Sequence, residues 1–220
     1  MQRILEPELM NEEAQAKAYA LANFSEPHDL FIDKFQEKFP NFIFNDVVLD
    51  LGCGPCDITR RFSLSYPDAS FHAIDGATRM LMYAKELNEK AGLAERIKLI
   101  KTCLPDVELP QSFYHLIISN SLLHHLHNPL SLWETIQQHA KPYASVFVMD
   151  LIRPTDEVTV RYFSDEYAKD EPDILKNDFE NSLRAAFTIE EVQQQLNETG
   201  LNQLKVEQAS DRHMIIFGTV

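Results

Sequence analysis

Hydrophobic positions along this chain fall into short strand-length runs separated by helical patterns. Val47–Leu51, Ser70–Ile74, Ile97–Cys103, His115–Ser119 and Ala144–Met149 are the runs. Asp57–Ser65, Thr78–Lys90 and Leu130–His139 carry apolar residues at helical spacing between them. Strand–helix alternation of this kind predicts a parallel sheet covered on both faces. Beyond Pro154 the pattern changes, and two polar helix-like stretches, at 155–168 and 170–182, read as an insertion. A helix over Ile189–Thr199 stops at Gly200, a good C-terminal cap. Leu204–Gln208 and His213–Val220 alternate and lie close in sequence, which predicts an antiparallel hairpin at the sheet edge. Ahead of the core, residues 11–20 favour a helix with Asn11 as cap, and Pro27–Phe39 a second, with Ser25 as cap and Pro40 as stop. The whole is one α/β domain over 1–220, doubly wound. Its sheet is mostly parallel and seven-stranded with an antiparallel last strand. Residues 1–40 form a helical cap and 154–187 an insertion.

The first run ends in Asp50-Leu51-Gly52-Cys53-Gly54-Pro55 and leads straight into a helix. Gly52 and Gly54 let bare backbone approach a ligand, and the helix start points its amides at it. The second run ends in Ala73-Ile74-Asp75-Gly76, so an acid stands about 20 residues beyond the glycine turn, placed to accept hydrogen bonds from ribose hydroxyls. A dinucleotide loop would carry a third glycine where this chain has Asp57, and a carboxylate at a helix start repels a pyrophosphate. Asp50 suits an ammonium group instead. A ligand with a ribose, an ammonium and no phosphate is S-adenosylmethionine.

These residues resemble motif I of the class I S-adenosylmethionine-dependent methyltransferases, and Asp75 matches their acid at the end of the second strand. Leu116 to Leu126 (LIISNSLLHHL) is similar to their fourth-strand motif and its flank. The resemblance covers roughly 40–153 and 188–220, and it implies a Rossmann-like fold. It also implies roles. Asp50 and the backbone of Gly52, Cys53 and Gly54 would hold the methionine end. Asp75 and Gly76 would hold the ribose, Met80 would pack on the adenine, and Asn120, just after the fourth strand, would also bind the cofactor. Thr102-Cys103-Leu104 stand where family members often carry an aspartate for the adenine amine, so Cys103 and Leu104 backbone or Asp106 would take that contact. Cys56 replaces the usual third glycine. His125 is the first candidate for a general base and Asp150 the second. Tyr19, Arg153 and Tyr162, in or beside the variable segments, are candidates for substrate binding. The reaction implied is methyl transfer to a small-molecule acceptor.

Other readings stay open. Cys53-Gly54-Pro55-Cys56 matches the thioredoxin motif letter for letter, which would make a dithiol redox protein, but Asp57 beside it disfavours a thiolate. A protein that binds the cofactor without turning it over would keep the same motifs. His124, His125 and His127 invite a metal, yet adjacent histidines rarely converge and no carboxylate or cysteine lies at ligand spacing, so no metal is expected. Asp211-Arg212-His213 reads as a turn with a local ion pair.

Charge narrows the partners. The net charge is −14 and Arg60-Arg61 is the only adjacent basic pair, so nucleic acid is not expected. The chain has no run of about 18 apolar residues, so no membrane span is expected. Three cysteines are an odd count, and Met1–Met10 shows no apolar leader. Both point to a cytoplasmic setting. The oligomeric state is not legible.

Overall fold

The computed structural model describes residues 1–42 and 45–220. Seven strands form one sheet: β1 (Val47–Leu51), β2 (Ser70–Asp75), β3 (Ile97–Lys101), β4 (Tyr114–Asn120), β5 (Ala140–Leu151), β6 (Lys205–Gln208) and β7 (His213–Thr219), in the order β3-β2-β1-β4-β5-β7-β6. β1 to β5 pair in parallel, and β7 runs antiparallel to both β5 and β6. The expected doubly wound, mostly parallel sheet with a reversed last strand is the one observed. The terminal hairpin places β6 at the edge and β7 inside it.

The helices are α1 (Glu13–Leu21), α2 (Ser25–Lys38), α3 (Asp57–Ser65), α4 (Thr78–Lys90), α5 (Leu130–His139), α6 (Glu157–Tyr167), α7 (Asp173–Ala185) and α8 (Ile189–Glu198), with a single 3-10 turn at Leu123–His125. Period-two alternation splits each central strand between two cores. Leu49, Leu51, Ile117, Val146 and Val148 face α5 and α8, where Trp133 is fully buried and its Nε1 donates to Gln195 Oε1 at 2.9 Å. Val48, Leu116, Ile118, Phe147 and Met149 face α2 and α3, around a cluster in which Phe35 meets Phe62 and Phe147 edge-on at 4.8 and 5.5 Å. Burying each such ring contributes roughly 2–3 kcal/mol.

Three local expectations need correction. Asn11 does not cap α1, whose N-cap is Glu12; its Oδ1 accepts from Arg79 N and so caps α4 across space. Ser25 lies inside α2, and Asn23 Oδ1 accepts from the Ser25 amide and hydroxyl. β5 begins at Ala140, directly after α5, because Tyr143 at φ +66° bulges out and lets the strand continue.

Candidate functional site

The chain order reverses between β1 and β4, and the crevice beyond the strand ends at that point is where open α/β sheets bind ligands. A cavity of about 420 Å³ occupies it. Its walls come from the loops after β1, β2, β3 and β4, and residues from Glu8 to Phe24 cover it.

The glycine turn forms its floor. Gly52 (φ +72°) and Cys53 both donate backbone N–H groups to Ile74 O at 2.9 Å, which ties the turn to β2. Gly54 lies at φ +50°, and a Cβ placed there would meet nothing within 4 Å, so its backbone borders open cavity. Cys56, where the third glycine was missing, sits at φ +62° as N-cap of α3 with its side chain buried. A β-carbon in that conformation costs about 1–2 kcal/mol, which explains why glycine suits the position.

Asp75 organises the turn from β2. Its Oδ2 accepts from Gly54 N at 2.8 Å and its Oδ1 from Ala77 N at 2.7 Å, with further lone pairs left for the cavity it lines. Burial pushes the Asp75 carboxyl up, against those two amides. Asp50 is buried at the tip of β1, where Thr59 Oγ1 donates to it at 2.5 Å. Burial raises it to about 7. Gly76, Met80, Cys103, Leu104 and Asn120 all line the same cavity, whereas Asp106 does not. Asn120 Oδ1 is buried and has no hydrogen-bond partner among the described residues. A buried acceptor without a donor, beside a cavity with a bare glycine wall and an uncompensated acid, fits a ligand that brings donors and positive charge.

Asp57 also lines that cavity, but its charge is taken up by neighbouring basic side chains. His28 Nδ1 lies 2.6 Å and Arg61 Nε 2.7 Å from its Oδ2, and these hold its carboxyl well below the usual range despite burial. This cluster locks α2 onto α3. Sequence reasoning missed His28 because nothing in its spacing marks it as the partner of a residue 29 positions on.

A second cavity, about 190 Å³, adjoins the first. Both are lined by Tyr19, Phe24, Asn120, Ser121 and His125. His125 therefore stands where the two meet, on the 3-10 turn after β4. Burial and the neighbouring His124 push it down to about 3, so the ring is neutral and a weak base. Burial raises the Tyr19 phenol to about 12.

The remaining candidates are placed elsewhere. Asp150 is buried and lines neither cavity. Its Oδ1 lies 2.5 Å from His124 Nδ1 and also accepts from Leu151 N, and its Oδ2 accepts from Leu123 N. These bonds position the 3-10 turn. Arg153 lines neither cavity: it pairs with Glu191 at 2.6 Å and donates to Ala186 O and Met1 O. Tyr162 is 58 % exposed on α6 and lines neither cavity. The same helix presents Tyr167 instead, with its OH on Asp211 Oδ2 at 2.5 Å and Arg212 stacked 3.3 Å over its ring. Arg212 also pairs with Glu26, so Asp211-Arg212-His213 joins α2, α6 and β7, and His213 lines the second cavity. Cys53 and Cys56 are both buried, and burial, then Cys56 itself, pushes the Cys53 thiol well up. That is the opposite of what a reactive dithiol needs.

An open sheet with a glycine turn, an acidic strand tip and a covered cavity at its switch point is the arrangement with which open α/β proteins hold nucleoside ligands. Residues 48–143 match a family model described as a methyltransferase domain. No curated protein matches the chain by sequence. Among solved structures, a SAM-dependent methyltransferase from Aquifex aeolicus superposes with TM-score 0.68 at 20 % identity, over 93 % of this chain and 97 % of that one. The plantazolicin methyltransferase BpumL, in complex with a triazolic desmethylPZN analog and SAH, gives 0.69 at 15 % identity, over 94 % and 90 %. Phosphoethanolamine N-methyltransferase 2 of Haemonchus contortus, with S-adenosyl-L-methionine, gives 0.70 at 14 % identity, over 95 % of this chain and 57 % of that one. At these identities the likeness is one of fold. No helix of the described residues is long and apolar enough to cross a membrane.

Proposed function

We propose that the first cavity takes S-adenosylmethionine and the second a small-molecule acceptor, with the methyl group passing between them at the wall shared by Tyr19, Asn120 and His125. The observation that carries this reading is that shared wall, which brings two cavities of unequal size into contact. Asp50 would meet the cofactor's ammonium, Asp75 its ribose hydroxyls, and Met80, Cys103 and Leu104 its adenine. When bound, the cofactor supplies a methyl already activated on a sulfonium. The protein's task is alignment and exclusion of water. α1 and α2 supply the exclusion. Tyr19 and His125 would flank the acceptor's nucleophilic atom.

A cavity of about 190 Å³ suits a small molecule rather than a folded partner. Asp178 Oδ2 lines it, buried and without a hydrogen-bond partner among the described residues, as does Asn120 Oδ1. Two acceptors in want of donors favour an acceptor molecule with an amine or hydroxyl head. The relative named as an N-methyltransferase of phosphoethanolamine agrees with an amine. A chain of net charge −14 suits a cytoplasmic enzyme of small molecules, not of nucleic acid.

Calorimetric titration with S-adenosylmethionine and S-adenosylhomocysteine tests the first half. Binding in the micromolar range is expected for the native chain, with loss of it in Asp75→Ala. Release of S-adenosylhomocysteine in the presence of small amines and alcohols tests the second. A native protein that binds neither cofactor form sinks the reading.

A further inference from the structure

The histidines after β4 find a carboxylate that their sequence spacing hides. Glu6, from the segment ahead of α1, places Oε1 3.6 Å from His124 Nε2 and 3.4 Å from His125 Nδ1. Glu6 Oε1 is buried, in a side chain only 9 % exposed, and has no hydrogen-bond partner among the described residues. The three donor atoms lie within 4.8 Å of one another. We propose that Glu6, His124 and His125 bind one divalent transition-metal ion of the zinc type, at the edge of the second cavity.

Adjacent histidines converge here because they use different ring nitrogens. On the 3-10 turn the two rings lie 4.3 Å apart at 35°, and one offers Nε2 where the other offers Nδ1. The two carboxylate–imidazole spacings are those of ligands, and the 3.4 Å contact of His125 Nδ1 with Pro7 O is one that an ion would replace. Donors bound tetrahedrally at about 2.0–2.2 Å from an ion stand roughly 3.3–3.6 Å from each other. Two imidazoles and one carboxylate are a known catalytic zinc set, with a further position open. The surroundings agree. Asp150 holds the far nitrogen of His124 at 2.5 Å, which fixes the ring and its tautomer as outer-shell carboxylates do. Arg3 is the nearby cation, and its guanidinium is taken by the carbonyls of His124, Leu126 and Ala185. With neutral imidazoles, Glu6 and Asp150 against Arg3 leave one negative charge for a dication to neutralise. Glu6 is held in place: His127 Nε2 sits 2.9 Å from its carbonyl, and Ile4 N donates to Arg184 O.

His124 and His125 both line the second cavity, so the ion's open position is available to an oxygen or nitrogen of a bound molecule. That role rests on the acceptor assignment above; the binding of the metal does not.

Untagged protein stripped with a chelator and titrated with Co²⁺, without cofactor, tests the site. One ion per chain is expected, with visible d–d absorption, displacement by Zn²⁺ and a rise in Tm. Glu6→Gln and His125→Asn should each weaken binding at least about tenfold. His115→Asn, far from the site on β4, should leave it unchanged. Absence of saturable Co²⁺ binding in the native chain overturns the proposal, as does binding that survives unchanged in a folded Glu6→Gln or, if that variant fails to fold, in His125→Asn. Cobalt binding without S-adenosylmethionine binding would sink the transferase reading and leave this one, and the reverse result would do the opposite.

Discussion

Asp50 shows how one buried side chain couples cofactor binding to pH. Burial raises it to about 7, so in the free enzyme below that pH it carries a proton. A bound ammonium favours the carboxylate. Binding of S-adenosylmethionine should therefore release a proton below about pH 7, and affinity should fall about tenfold per pH unit as pH drops further. Calorimetry in buffers of different ionisation heat measures the proton count directly. Asp50→Asn should weaken binding and remove the slope; a slope unchanged in that variant would break the link. Gly52 is constrained by space as well as by conformation. A Cβ there would lie 2.8 Å from Leu122 Cδ1 at φ +72°.

At the scale of elements, α8 is the best-defined helix end. Thr188 Oγ1 accepts from Glu191 N, and Glu191 returns the bond to Thr188 N, a capping box. Glu191 also holds Arg153, which ties α8 to the end of β5. Thr188→Ala should lower unfolding free energy by about 1 kcal/mol, read as a shift in denaturant midpoint, with cofactor affinity unchanged. The 3-10 turn behaves differently. Three residues of short turn are set by Asp150, which bonds Leu123 N and His124 Nδ1 at once.

Across the whole molecule, opposed titrations shape acid stability. His125 and His213, lowered to about 3 and about 4, contribute stability above their unfolded value of about 6.5 and lose it as pH falls. Asp50, raised to about 7, contributes below its unfolded value of about 3.9 and loses that as pH rises, so it works against the histidines across the same window. His124, raised by Asp150 against burial, contributes below about 6.5 and loses that above its folded value. Asp57 and Asp150, held low by His28 and His124, contribute above about 3.9 and lose that as pH falls. Two histidines outweigh the one carboxyl, so stability should decline gently below about pH 6.5 and drop steeply below about pH 4. Thermal melts across pH measure this, and Asp57→Asn should flatten the acid limb by freeing α2 from α3.

The strands, their alternation with helices and the glycine turn are legible in the order of residues alone. Those rest on local periodicity and on backbone conformations that only certain residues adopt. Asp50, Gly52, Gly54 and Asp75 were legible for the same reason, since each sits at a strand tip that the pattern marks. Tertiary structure decided the partners. Arg153 and Asp150 looked like free polar groups beyond strand five, but burial required each to be paired, and Glu191 and His124 came from distant segments to do so. Tyr162 gave way to Tyr167 because the pitch of α6, not residue type, sets which ring faces the cavity. Glu6 meets His125 across 119 residues of sequence, a distance that no spacing rule spans and that only the packing of the first segment over the strand ends brings to contact.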